Sequence, residues 1–214
     1  MTTVSSSNEV IIIGSGGHGR EVACVALSAG MAFKGFVDDS PPPPEIMAPF
    51  GVGYLGAIAD WAAVDAVDIL VGIGSGAVRE TISQQLAARG IVGGLVDPHS
   101  SVGVDVRLGD GVVIFAQATV TTNIDLGSHT HIGRGAAIGH DCVLGDFVTV
   151  MPLASVSGNV TIGERVTIGA GAVIRQGQVI GADAYVGAGA VVVSDVPPGV
   201  TVVGNPARPI RPQM

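Results

Sequence analysis

From Val96 onward the chain divides into seventeen consecutive hexads, each opening on Val, Leu or Ile, with no insertion to break the phase. Gly follows the opening aliphatic in more than half of them. The fifth position is small or β-branched, as at Val106, Val112, Ala118, Ala136, Cys142, Ala154, Ala172 and Ala190. A period of six with one aliphatic and one small residue describes a three-sided solenoid, in which each hexad is one short flat strand and one corner. The aliphatic fills the interior, the small residue lies beside it, and glycine tolerates the corner dihedrals. Three hexads close a coil, and coils stack at ~4.8 Å. Residues 18 apart in sequence then share one column.

The N-terminal third has a different rhythm. Val10–Ile13 reads as a buried strand running into Gly14-Ser-Gly-Gly-His-Gly19, then a helix from Arg20 to about Ala29. Phe33–Val37 is a second strand ending at Asp38-Asp39, and Pro41–Pro44 a loop without ladder donors. Asp68–Ile73 is a third strand, Val78–Arg89 a helix, and Ile91–Val96 a fourth strand entering the solenoid. Strands alternating with helices imply a parallel sheet covered on both faces. The expected domains are 1–95, 96–197 and a tail, 198–214.

Composition closes several alternatives. With 214 residues, 13% charged residues and a net charge of −8, and with Lys34 the only lysine, the chain is a poor partner for nucleic acid or an anionic membrane. No apolar stretch approaches the ~18 residues needed to cross a bilayer. Two cysteines, Cys24 and Cys142, make no disulfide framework, and Met1-Thr-Thr-Val-Ser-Ser-Ser lacks the basic region of a signal peptide. A cytoplasmic protein is expected. Any phosphate must be held by backbone amides or a few arginines.

Three constellations carry chemistry. Gly16, Gly17 and His18 follow a strand and precede a helix, where free amides can face a phosphate, and Asp38 and Asp39 end the next strand, where an acid can meet a ribose. A tight turn with solvated aspartates is the competing reading. About 95 residues are too few for a full dinucleotide domain, so a mononucleotide or nucleotide sugar fits better than a nicotinamide. His140-Asp141 sits at a corner, where the acid can fix the imidazole tautomer. One coil on, Gly158 leaves an uncovered backbone amide in the same column, suited to an oxyanion. His129 and His131, with His140, have the residue types of a zinc site. They fall in different columns, however, so one chain does not obviously converge them. Cys142 is expected inside the core.

Gly16-Gly-His-Gly19, Asp38-Asp39, Gly74, Gly139-His-Asp-Cys142, Ser157-Gly-Asn159 and the tail Gly204-Asn-Pro-Ala207 together resemble bacterial nucleotide-sugar acetyltransferases over almost the whole chain. These enzymes N-acetylate 4-amino sugars of the bacillosamine and perosamine type, and sialic-acid O-acetyltransferase-like proteins share their architecture. The resemblance implies an α/β, Rossmann-like small domain followed by a left-handed parallel β-helix of hexapeptide repeats, and a homotrimer with active sites between subunits. It implies His140 as general base, Asp141 as its partner and Gly158 as oxyanion donor. Gly16, Gly17, His18, Asp38, Asp39 and Gly74 would line a nucleotide-sugar site. Ala170 and Ala188 would contact acetyl-CoA, the cosubstrate, and no metal is required. A histidine that touches the thioester region in a relative aligns with Thr149, and His131 lies directly below Thr149 in the column. Two rivals remain: a zinc enzyme of the γ-carbonic-anhydrase type on the same helix, and a non-enzymatic scaffold or nucleotide-sugar sensor. Base identity, the particular sugar, and N- against O-acetylation stay open.

Overall fold

A computed structural model describes residues 8–60, 67–86 and 94–210. Met1–Ser7, the end of the expected second helix beyond Leu86, and Ile91–Gly93 of the expected fourth strand lie outside those residues.

The small domain is a four-stranded parallel sheet built from β1 (Glu9–Ile13), β2 (Ala32–Val37), β3 (Gly53–Tyr54) and β4 (Asp68–Val71), in the order β3-β2-β1-β4. Helix α1 (Gly17–Ser28) covers one face through Val22, Ala23, Val25 and Ala26. A short α2 (Pro44–Met47) follows β2, and α3 (Gly76–Leu86) covers the other face through Ile82 and Leu86. Four details depart from the sequence reading. Helix α1 begins at Gly17, a full turn before Arg20, so Gly17-His-Gly19 form the first turn of the helix and only Gly14-Ser-Gly16 precede it as a loop. Glycine is required there because a Cβ on Gly19 would stand 2.0 Å from the Gly14 carbonyl oxygen. Pro44 opens α2 instead of ending a loop, at a position where its missing N–H costs nothing. Strand β4 stops at Val71, because Gly72 crosses against Gly19. Finally, β5 (Leu95–Val96) pairs with Val113–Ile114 and so belongs to the solenoid, not to the small sheet.

The solenoid is three parallel sheets around one apolar core. Its ladders advance by 18 residues per coil as far as Val191–Val192, as in Ala137↔Ser155, Val143↔Thr161 and His131↔Thr149, and by 16 in the last turn, where Tyr185 pairs with Thr201. The opening aliphatics Ile132, Ile138, Leu144, Val150, Val156 and Ile162 are buried, as are Ala136, Cys142 and Ala154 beside them. Each such Val, Ile or Leu contributes about 1.5–3 kcal/mol. The corner dihedrals are not where the second-position glycines were expected to supply them. The left-handed residue is the fourth of the hexad, from Asp105 through Asp141 and Asn159 to Gly189. The second-position glycines answer a different demand, close stacking: a Cβ on Gly139 would lie 2.6 Å from the Gly158 amide of the next coil. After Val203 the chain turns and Arg208–Pro209 returns antiparallel to it. Among the described residues no helix is long and apolar enough to cross a membrane.

The segments that follow β1 and β4 meet the solenoid sheet that carries His131 and Thr149, through His18 on His131 and the Gly74 carbonyl on the Thr149 hydroxyl. Val113 and Phe115 on that sheet share an apolar cluster with Val10, Ile12 and Phe36. The glycine-rich loop is therefore set against a wall of the helix.

Candidate active site

His140 and Asp141 occupy the corner between the sheets of Ala137–Ile138 and Val143–Leu144. His140 Nδ1 lies 2.7 Å from Asp141 Oδ2, and Asn123 donates from Nδ2 to Asp141 Oδ1 at 2.7 Å. These bonds, from His140 first and Asn123 second, hold the Asp141 carboxyl below its ordinary pKa. A carboxylate so placed accepts a proton from Nδ1, the tautomer in which a neutral ring carries its lone pair on Nε2. Asn123 lies 18 residues before Asp141, and the column rule alone would have found it. Gly158 stacks on the ring: a Cβ there would stand 2.5 Å from His140 Nε2. Cys142 is buried, with its thiol pushed up by burial and its Sγ 3.2 Å from the Ser157 carbonyl oxygen, so it is core.

Gly158→Ala is expected to displace the His140 ring and lower kcat tenfold or more, with little change in Tm because the ring is half exposed. Steady-state kinetics beside a melting curve checks it. Unchanged kcat would mean that the stacking has no part in turnover.

Gly16 and Gly17 are exposed at the start of α1, and among the described residues no side chain caps its amides. Asp38 sits at the end of β2, where its Oδ2 accepts from the Ser15 amide at 2.7 Å and the Ser15 hydroxyl at 2.8 Å. Burial raises the Asp38 carboxyl, but the bonds from Ser15 and Ser40 together bring it below its usual value. Asp39 Oδ1 accepts from the Ile58 amide at 3.0 Å. Both aspartates thus brace the loops as well as facing outward. Gly74 lies across from His18, and its carbonyl accepts from the Thr149 hydroxyl at 2.9 Å.

Beneath that loop is Arg79 of α3, with no exposed surface. Its guanidinium donates to the carbonyls of Ile73 (2.7 Å), Gly74 (3.0 Å), His129 (3.0 Å), Phe147 (2.9 Å) and Val148 (3.1 Å), and to the Thr149 hydroxyl (3.0 Å). Burial lowers its pKa to about 9. It is not among the residues singled out from the sequence. The signal was present, since Arg79 precedes the buried Ile82, Ser83 and Leu86 by three, four and seven residues, on the same helix face.

Three histidines surround this cation. His129 stacks on Phe147 with ring centroids 5.1 Å apart, and His18 Nε2 lies 2.8 Å from His131 Nδ1. Burial first, and Arg79 second, bring His18 and His129 down to about 4, and His131 well below its ordinary value. The folded rings are neutral, whereas the unfolded chain takes up protons below about pH 6.5. Stability therefore falls as the pH drops from about 6.5 towards 4 and levels off lower, each tenfold weakening of a ring's proton affinity being worth about 1.4 kcal/mol. Asp68, raised to about 6 by burial, opposes part of this. Thermal melts should place Tm at pH 5 about 5–10 °C below that at pH 7. A flat profile would show that the rings are not held neutral.

The described chain forms two separate groups. His140, Asp141 and Gly158 meet at one corner. Gly16, Gly17, His18, Asp38, Asp39 and Gly74 gather at the sheet end, above the buried His131 and Thr149. Ala170 and Ala188 are exposed on the next corner around the helix, in the column of Arg134 and Pro152. A cavity of about 140 Å³ at that corner is lined by His18, Glu21, Phe115, His131, Thr149 and Met151 among others, and by neither His140 nor Gly158.

Residues 9–86 match the model of the PglD N-terminal domain, and residues 141–176 that of the bacterial transferase hexapeptide, six repeats. The acetyltransferase domain of PglB from Neisseria gonorrhoeae is 34% identical, over 95% of this chain and 100% of that one, with a TM-score of 0.88. PerB from Caulobacter crescentus, solved with CoA and GDP-perosamine, is 32% identical over 95% and 97%, with a TM-score of 0.87. WeeI from Acinetobacter baumannii is 30% identical over 94% and 99%, with a TM-score of 0.82. A Schizosaccharomyces pombe protein described as an acetyltransferase is 54% identical over 35 residues, which is 16% of this chain and 17% of that protein. With two domains, their order and nearly the full length in common with the solved bacterial enzymes, the chain belongs to the left-handed β-helix, hexapeptide-repeat family of nucleotide-sugar acetyltransferases.

Proposed function

We propose that this chain transfers the acetyl group of acetyl-CoA to the 4-amino group of a UDP- or GDP-linked amino sugar, within a homotrimer. The observation that carries the reading is the His140 corner: Asp141 holds Nδ1, Nε2 is free, and the Gly158 backbone lies against the ring. The neutral amine attacks the thioester carbonyl, the new C–N bond forms, and His140 Nε2 takes the proton the amine loses. The Gly158 amide stabilises the oxyanion until the C–S bond breaks and CoA leaves. Gly16, Gly17, His18 and Gly74, with Asp38 and Asp39, hold the nucleotide sugar at the amides of α1. Ala170 and Ala188 contact acetyl-CoA through their backbone, and its thioester end lies on the Thr149 side, at the mouth of the cavity.

The trimer reading rests on the separation of the two groups, because a second copy is needed to bring a His140 corner to a sugar-binding loop. Light scattering at micromolar concentration should give three chains, and a monomer would sink the shared site. Thiol release from acetyl-CoA with a panel of UDP- and GDP-linked 4-amino sugars tests the activity. Release with the amino sugars is expected. Release only with hydroxyl sugars would move the reaction to O-acetylation, and none at all would overturn the reading.

A further inference from the structure

One side chain that lines the cavity between the small domain and the solenoid wall carries a buried polar atom that the mechanism above leaves unused. His131 is 1% exposed and lines the cavity. Its Nδ1 is taken by His18 Nε2 at 2.8 Å, and the two rings stack with centroids 5.1 Å apart. Its Nε2 is buried without a partner among the described residues, a condition that costs ~1–3 kcal/mol unless something occupies it. Thr149, in the next coil, is not free to help, since its hydroxyl already bridges Arg79 and the Gly74 carbonyl.

From this juxtaposition we infer that His131 Nε2 is the hydrogen-bond partner of a hydroxyl or neutral amine on the hexose of the nucleotide sugar, and that His18 is a positioning residue which fixes the His131 ring and its tautomer. The inference rests on the nucleotide-sugar reading above. Three observations favour the hexose. A cavity of about 140 Å³ is ring-sized, since one of about 150 Å³ takes a benzene ring. Phe115, Val150, Met151 and Pro152 give it apolar walls for the carbon face of a deoxy sugar, and at its rim Glu21 and Arg134 neutralise each other at 2.5 Å. His18 directly follows Gly16-Gly17, so a sugar joined to a diphosphate on those amides enters beside it.

The pair has a property that a single histidine lacks. One proton lies between His18 Nε2 and His131 Nδ1. When His18 donates it, the remaining proton of neutral His131 is on Nε2, which is then a donor. When His131 donates it, Nε2 is an acceptor. Either polarity of sugar substituent is met without placing a net charge beside buried Arg79.

The test is calorimetry on the intact protein, comparing GDP-perosamine with GDP, and a UDP-linked 4-amino-4,6-dideoxyhexose with UDP. The wild type should bind the matching sugar nucleotide at least tenfold tighter than the bare nucleotide. His131→Asn keeps a bond to His18 but removes the atom at Nε2. It should lose about tenfold of the hexose increment while binding the nucleotide as before. His131→Gln, whose amide reaches about as far as Nε2, should recover much of it. In ¹⁵N-histidine spectra the His131 Nε2 resonance should move with the sugar nucleotide and not with the nucleotide. A full increment in His131→Asn, equal losses for sugar nucleotide and nucleotide, or weakened acetyl-CoA binding instead, would overturn the assignment. Nucleotide binding without any hexose increment in the wild type would overturn it alone, whereas a wild type that binds none of the four would overturn the nucleotide-sugar reading as well.

Discussion

His140→Asn should lower kcat a hundredfold or more and leave the affinity for both substrates close to that of the wild type. General-base removal typically costs 10²–10⁴ in rate, and the base acts only once the amine begins to bond to the thioester carbon, so ground-state binding is spared. The side chain is 55% exposed at a corner, and asparagine keeps its polarity, so the fold should survive. Asp141→Asn should do less damage, because Asp141 holds the ring without touching the reacting atoms. Steady-state kinetics on variants with unchanged assembly decides the matter. An intact His140→Asn enzyme with wild-type kcat would leave positioning of an already neutral amine as the whole of catalysis.

Arg79→Met should be the most destabilising single change in the small domain, by about 3–5 kcal/mol against a total stability of about 5–15 kcal/mol. Methionine fills the volume but leaves five carbonyls and the Thr149 hydroxyl without their donor, and each buried acceptor left unmet costs ~1–3 kcal/mol. Removing the buried charge returns part of that, which keeps the net below the simple total. Lysine is no substitute, since a single ammonium cannot reach acceptors on β4's loop and on two coils at once. Melting curves and limited proteolysis should show the small domain loosening from the solenoid first. A variant with wild-type Tm would mean that water replaces the guanidinium.

Much of the solenoid was legible because six-residue periodicity fixes direction as well as class. The column rule placed Gly158 against His140 and His131 beneath Thr149, as the ladders do. It was silent on why glycine follows the aliphatic, since close stacking and a special dihedral leave the same letter in a sequence. In the small domain β1, β2 and β4 were readable from apolar runs, but the edge strand β3 was not, since two exposed residues leave no apolar pattern. Nor was the start of α1, because Gly17 and Gly19 are poor helix formers held helical by the crossing at Gly14 and Gly72. The His18–His131 pair lay beyond reach for another reason. It joins residues 113 apart across a domain contact, and no local pattern encodes how two domains meet.

The 18-residue advance also makes the solenoid a molecular vernier. Excising one whole rung would shorten the prism and leave the azimuth of every other side chain unchanged, so the three edges would keep their identities. Excising a single residue within a rung would turn all later positions by one step of the hexad, sending aliphatics outward and left-handed corners into flat strands. Length changes in this helix are therefore quantised. Any insertion shorter than a full rung has to leave the prism as a loop at an edge, where it would hang beside the very corners that carry His140 and Ala170.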